Sequence, residues 1–250
     1  MKSIRAIIPA AGKGKRLQAI SGDLPKAMFC VEGRPMLEMV LENIGFVKPE
    51  DVCIVVGCGK EKIIEYFGDR YTYVEQKEQL GTGHAVMVCA DVFRDFDGAV
   101  LVTFGDMPLF RRAEMEAMCR QHLENGAACT LMTAENPELK MWARVVRDES
   151  GKFSAIVEGK DCTPEQAEVK ELFSGVIVFD SKALFEILPQ VGCANAQKEY
   201  YLTEVPELMV KKGMLVETYG IQDGNDLRGV NTPEELEVCQ RILRERYAAV

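Results

Sequence analysis

Short apolar runs rich in β-branched residues recur along the chain, separated by longer stretches whose apolar positions fall three and four residues apart. Residues 4–8, 52–56, 71–74 and 100–104 are runs of the first kind and predict strands. Met36, Leu37, Val40, Leu41 and Ile44, and then Met115, Met118, Cys119 and Leu123, lie at helical spacing and predict two helices with one buried face each. Strand and helix in alternation predict an α/β fold with mainly parallel strands and helical crossovers. Further on the rhythm changes. Residues 143–146, 153–157 and 175–179 read as strands, the first two separated by the turn Asp148-Glu149-Ser150-Gly151, and predict a subregion packed on the same sheet. No segment rich in proline, glycine or serine divides the halves, which predicts one domain over 1–228, its halves meeting near residue 110. Over 229–250, Thr232-Pro233-Glu234-Glu235 has the form of a capping box with proline at the first helical position. The helix it opens carries Leu236, Cys239, Leu243 and Tyr247 in one stripe, suited either to the body of the protein or to a second copy in a homo-oligomer.

Composition narrows the picture. The 250 residues are 47% apolar, enough for a substantial core, and the net charge of −9 excludes the broad basic face that nucleic acid requires. Nine cysteines, odd in number and mostly set in apolar segments such as Val52-Cys53-Ile54, read as reduced thiols of a cytoplasmic protein. The apolar run near the amino terminus is too short for a signal peptide or a membrane span.

Three places carry candidate chemistry. The first strand empties into Pro9-Ala10-Ala11-Gly12-Lys13-Gly14-Lys15-Arg16, with Leu24-Pro25-Lys26 close behind. Small residues let backbone N–H groups approach a phosphate, and Lys15, Arg16 and Lys26 bring positive charge, so this reads as a cradle for a nucleoside triphosphate. The spacing is that of neither a P-loop nor a dinucleotide fingerprint, and an ordinary strand-to-loop connection is the alternative. Asp106 follows the fourth strand run and is a hard oxygen ligand suited to Mg²⁺, or else a turn aspartate before Pro108. Gln76 can offer both a donor and an acceptor to a base edge, with Gly81 and Thr82 supplying backbone contacts. Gly81-Thr82-Gly83 can equally be a strand-to-helix turn capped by Thr82.

The order of these segments is itself informative. A-A-G-x-G-x-R, L-P-K, Gln76-Lys77-Glu78-Gln79-Leu80-Gly81-Thr82-Gly83-His84-Ala85, Gly105-Asp106-Met107-Pro108, Ile156-Val157-Glu158-Gly159-Lys160-Asp161, Glu199-Tyr200-Tyr201-Leu202-Thr203-Glu204 and Gly229-Val230-Asn231 follow one another down the chain. The series resembles that of the sugar nucleotidyltransferases, most closely the uridylyltransferases that make UDP-N-acetylglucosamine. The resemblance implies a Rossmann-like nucleotidyltransferase fold, a mixed but mostly parallel sheet with flanking helices. Its nucleotide-binding half would be 1–110, its sugar-binding half 111–228, and a metal-ligand loop and terminal helix would follow at 229–250. It implies Mg²⁺ held by Asp106 and Asn231, with catalysis by Arg16, Lys26 and Asp106. Ala10, Ala11, Gly12, Gly14, Gln76, Gly81 and Thr82 would bind UTP, and Ala143, Glu158, Phe173, Tyr201 and Thr203 the sugar-1-phosphate, N-acetylglucosamine-1-phosphate first among candidates. Lys26 would bridge the nucleotide and sugar phosphates.

Two positions depart from the family. Trp142-Ala143-Arg144 stands for Tyr-Gly-Arg, and Phe173-Ser174-Gly175 for Asn-Thr-Gly, which removes an amide from the pocket wall. No hexapeptide repeat is present, so no acetyltransferase activity is implied. A nucleotidyltransferase for another sugar phosphate or base, or a non-catalytic nucleotide-binding regulator, remains the alternative. A glycosyltransferase is disfavoured because Asp106 forms no D-x-D pair.

Overall fold

A computed structural model describes residues 3–14, 16, 17 and 24–248; Lys15 lies outside them. Strand β1 (Ile4–Pro9) is central, and β4 (Val52–Val56), β5 (Thr72–Glu75) and β6 (Ala99–Val102) run parallel with it. Short β2 (Cys30–Val31) and β3 (Arg34–Pro35) form a separate ribbon before helix α1 (Met36–Asn43). The order across the main sheet is β11-β7-β10-β6-β1-β4-β5, with β7 (Cys129–Glu135), β10 (Glu171–Asp180) and β11 (Val216–Gly220), while β8 (Arg144–Arg147) and β9 (Phe153–Val157) branch from β10. β10 lies antiparallel between β6 and β7, whereas β11 pairs with β7 in parallel. The expected mixed, mostly parallel sheet is therefore present, with β10, and β9 on the branch beside it, running in reverse.

Burial explains the alternation. β4 and β6 are buried at every residue, as strands covered on both faces must be. One face packs Ile8, Leu37, Val40, Ile44, Met115 and Met118 into a single cluster, and the other packs Ile7, Val100, Val102, Phe179, Leu184 and Val205. The two helices expected from spacing form as α1 and as Arg112–Asn125. The last helix, Pro233–Ala248, starts as its capping box requires: Thr232 Oγ accepts from the Glu235 N–H at 3.3 Å, and Glu235 Oε2 accepts from the Thr232 N–H at 3.1 Å. Its Cys239, Ile242 and Leu243 pack against Leu17, Phe29, Val31, Met36 and Leu109 of the same chain, while Tyr247 is exposed. Of the two uses open to its stripe, packing on the body is the one the structure shows.

Five of the cysteines are buried, and burial pushes the Cys119 and Cys239 thiols up to about 12. No described helix is long and apolar enough to cross a membrane.

Candidate functional site

The carboxyl ends of β1, β5 and β6 open on one cleft, where ligands of open α/β sheets bind. Its floor is the loop after β1. Ala10 and Ala11 are buried, the Ala10 N–H bonds to Val55 O at 2.8 Å, and nothing lies within 4 Å of where a Cβ on Gly12 would project. Gly57, just past β4, has to be glycine because a Cβ there would sit 2.8 Å from Ala11 O. Gly14 takes φ +60, and its carbonyl accepts from the Leu17 N–H to close the turn.

Pro25 leads into a short 3-10 turn that begins at Lys26 and delivers its side chain into the cleft. The Lys26 ammonium donates to Asp106 Oδ2 and, at 2.7 Å, to Asn231 Oδ1. Asn231 reaches a residue 125 positions away because the Val230 N–H bonds to Asp106 O at 3.0 Å and the Asn231 N–H to Glu235 Oε2 at 2.6 Å. The helix cap thus holds the asparagine against the aspartate. Two hard oxygens converge on one cation, which is the donor chemistry Mg²⁺ takes from a protein when phosphates and water complete its shell. Lys26 stands where such an ion would be shared, so the pair fits the metal.

Gln76 follows β5, and its amide nitrogen lies 3.1 Å from Gly81 O and 3.0 Å from His84 Nδ1. With both N–H groups engaged inside the protein, its carbonyl oxygen is what remains to present to a base, rather than the donor and acceptor together. Thr82 opens a short helix, but its hydroxyl is not the cap. Thr82 Oγ accepts from the Leu202 N–H at 3.0 Å, while the Gly83 N–H donates to Tyr200 O at 2.7 Å and the Tyr200 N–H to Leu80 O at 2.8 Å. A Cβ on Gly81, at φ +111, would meet Tyr200 O at 2.7 Å, and one on Gly83 would meet it at 2.9 Å. These glycines let segment 80–83 zip against segment 199–202.

Across that seam lies the second compartment of the cleft. Thr203 Oγ donates to Glu158 Oε1 at 2.9 Å. Burial holds the Glu158 carboxyl above its ordinary range, opposed by the Thr203 bond and reinforced by Asp161 and Glu199. Lys160 donates to Gln197 Oε1 at 2.6 Å on the same rim. The facing wall is apolar, with Met141, Trp142, Ala143, Phe173 and Leu202. Arg144 fixes the Met141–Trp142 loop by donating to the carbonyls of Leu139, Lys140, Trp142 and Ala167. Gly159 admits it, since a Cβ there would fall 2.2 Å from Met141 O. The β10 irregularity between Phe173 and Ile177 turns Ser174 and Gly175 into the cleft.

Most residues singled out in the sequence therefore gather here. Ala10, Ala11, Gly12, Lys26, Gln76, Gly81 and Thr82 line one compartment; Arg16, Ala143, Glu158, Phe173, Thr203 and Asn231 line the other; Thr82, Phe104 and Asp106 belong to both. Tyr201 does not line the cleft. Its hydroxyl is buried without a well-formed hydrogen bond, with Gln197 beside it. Arg16 is exposed, sits in the turn closed by the Leu17–Gly14 bond, and lines the second compartment. Gln79, Phe104, Lys160, Gln197 and Glu199 also line the cleft and had not been singled out. Gln79, Lys160 and Glu199 lie inside the recognised motifs, whereas Phe104 is indistinguishable by sequence from the core residues before it.

Comparison with known proteins agrees with this geometry. The nucleotidyl transferase family matches residues 5–225. The bifunctional protein GlmU of Latilactobacillus sakei is 40% identical over 98% of this chain and 53% of its own, and that of Enterococcus faecalis 36% identical over the same shares. The chain thus spans about half the length of the curated relatives it matches. Crystal structures of UDP-glucose pyrophosphorylase, without ligand and with UDP-glucose, superpose with TM-scores of 0.80 and 0.78 over 99% and 98% of this chain and all of theirs, at 16% and 17% identity, a likeness of fold. By the family match and the shared sequence, the chain belongs to the nucleotidyl transferase family.

Proposed function

We propose that the protein is a Mg²⁺-dependent uridylyltransferase that joins UTP and a sugar-1-phosphate into a UDP-sugar and pyrophosphate, with N-acetylglucosamine-1-phosphate as the leading acceptor. The observation that carries the proposal is the position of Asp106 on both compartments, beside Lys26 and Asn231. A sugar-phosphate oxygen attacking the α-phosphorus from the second compartment would drive pyrophosphate out along the β1 loop, in line. No side-chain nucleophile is required. The chain must bring two anions together, and Lys26, with Arg16 at the mouth, lowers their repulsion while the Ala10–Gly12 backbone orients the triphosphate. A Mg²⁺ held by Asp106 and Asn231 would add charge neutralisation at the phosphate oxygens when bound. Gln76 and the Gly81 backbone read the base, and Glu158, braced by Thr203, accepts from the sugar hydroxyls.

A second reading concerns the acceptor. Phe173 and Ala143 make one wall of the sugar compartment apolar, which favours weaker discrimination among hexose-1-phosphates, by about 1–3 kcal/mol per hydrogen-bonding group lost. Pyrophosphate release over a matrix of UTP, CTP and ATP against N-acetylglucosamine-, glucose- and galactose-1-phosphate tests both readings. UTP should lead by roughly 10² in kcat/KM; equal use of the three nucleotides rejects uridine selection. Rejection of glucose-1-phosphate by more than about 10⁴ rejects the relaxed pocket.

A further inference from the structure

The Lys26 ammonium and a divalent cation bound by Asp106 and Asn231 exclude each other. Lys26 is close enough to both oxygens to satisfy them as a bound cation would, its side chain is only 14% exposed, and that of Asp106 27%. Two positive centres cannot share one carboxylate oxygen and one amide oxygen at this point without strong mutual repulsion. We propose that Lys26 is a tethered competitor for the metal position, so that the metal enters only when triphosphate oxygens draw the ammonium away. This rests on the assignment of Asp106 and Asn231 as metal ligands made above.

The surroundings restrict the exchange to the lysine side chain. Lys26 N–H bonds to Gly12 O at 3.4 Å, and a Cβ at Gly14 would stand 3.0 Å from Lys26 Cβ, so the backbone of the turn is pinned to the phosphate loop. That loop lines the same compartment as Lys26, and a rotation about the side-chain bonds carries the ammonium from Asp106 to a phosphate seated there. Charge balance favours the move, since the lysine exchanges one carboxylate for several phosphate oxygens while the cation takes its place on Asp106. Lys26 is then a positioning residue before it is a phosphate ligand: it keeps the two oxygens together and reserves them until the nucleotide arrives.

The test is Mn²⁺ binding to the full chain, read by electron paramagnetic resonance with no nucleotide present. Lys26→Met should bind Mn²⁺ at least about tenfold more tightly than wild type, and the gain should vanish in Lys26→Met/Asp106→Asn. Lys26→Gln, which retains a hydrogen-bonding group without the charge, should show the same gain and serves if the methionine variant fails to fold by near-ultraviolet circular dichroism. Equal affinity in wild type and both lysine variants overturns the proposal, as does a gain that survives Asp106→Asn. Absence of the gain in the lysine variants, with pyrophosphate release by the wild-type protein intact, refutes only this inference. A clear Mn²⁺ gain in the lysine variants together with no pyrophosphate release by the wild-type protein from any nucleotide refutes the uridylyltransferase reading instead.

Discussion

Glu158 is an acid placed where acids are uncomfortable. Burial raises its proton affinity and the single Thr203 hydroxyl only partly offsets that, so in the folded protein it takes up a proton at a higher pH than an ordinary glutamate, whose value is about 4.3. The sign follows. A carboxyl raised in the folded state contributes stability that is fully present below its ordinary pKa and is lost as pH rises through the raised one. At neutral pH the group therefore works against folding, a cost that the proposed function explains, since there the charged form accepts hydrogen bonds from the sugar. KM for the sugar-1-phosphate should rise as pH falls, beginning above the ordinary glutamate range, and Glu158→Gln should abolish that rise. The same variant should melt higher than wild type at pH 7. A KM profile identical in the variant would remove Glu158 from the sugar compartment.

At the level of elements, the turn before segment 199–202 carries its own strain. Lys198 adopts φ +55, a left-handed conformation that a side chain disfavours by about 1–2 kcal/mol. Asn195 imposes it by accepting from the Glu199 N–H at 3.1 Å and donating to Glu199 O at 2.6 Å, and the turn in turn sets Gln197 and Glu199 on the cleft. Lys198→Gly should stabilise the fold by about 0.5–1 kcal/mol, what remains after the extra entropy of glycine in the unfolded chain. Urea unfolding with an unchanged m-value is the measurement, and no gain would mean that the turn relaxes some other way. Elements of this kind mark where sequence reading ends. The apolar runs that became β1, β4 and β6 were legible because a strand covered on both faces is hydrophobic throughout. Strands β7 and β11 and the direction of β10 were not, because an apolar run looks alike in either orientation and β11 is only partly buried. The site was legible as motifs in order, yet the bond from Lys26 to Asp106 and Asn231 joins residues 80 and 205 positions apart, which no local pattern encodes. Thr82 misled for a related reason: its partner, Leu202, lies 120 positions downstream.

For the molecule as a whole, the terminal helix is the clasp that joins the sheet to the loop carrying Asn231. Near its end Arg246 donates to Leu109 O at 2.9 Å, to Asp223 Oδ2 at 2.9 Å and to Asp226. Asp226 is 1% exposed, and burial raises its carboxyl against the pull of Arg246 and Arg111. Among the described residues, Arg246→Met would leave this carboxylate with Arg111 as its cationic partner, at 3.3 Å, and should cost about 1–3 kcal/mol at pH 7. Because Asp226 is already raised in the folded state, removing a cation raises it further, so the deficit should shrink as pH is lowered toward 5 and the group becomes neutral. A deficit independent of pH, in melts at pH 5 and 7, would assign the effect to lost packing of the arginine stem.

The zip between segments 80–83 and 199–202 bears on how such enzymes can be rebuilt. Three hydrogen bonds and two glycines hold the two loops in one register, so a chimaera that imports either loop alone from a relative inherits mismatched contacts along the whole joint. Grafting a new substrate preference onto this scaffold calls for moving both loops as a matched pair, even when only one compartment is meant to change.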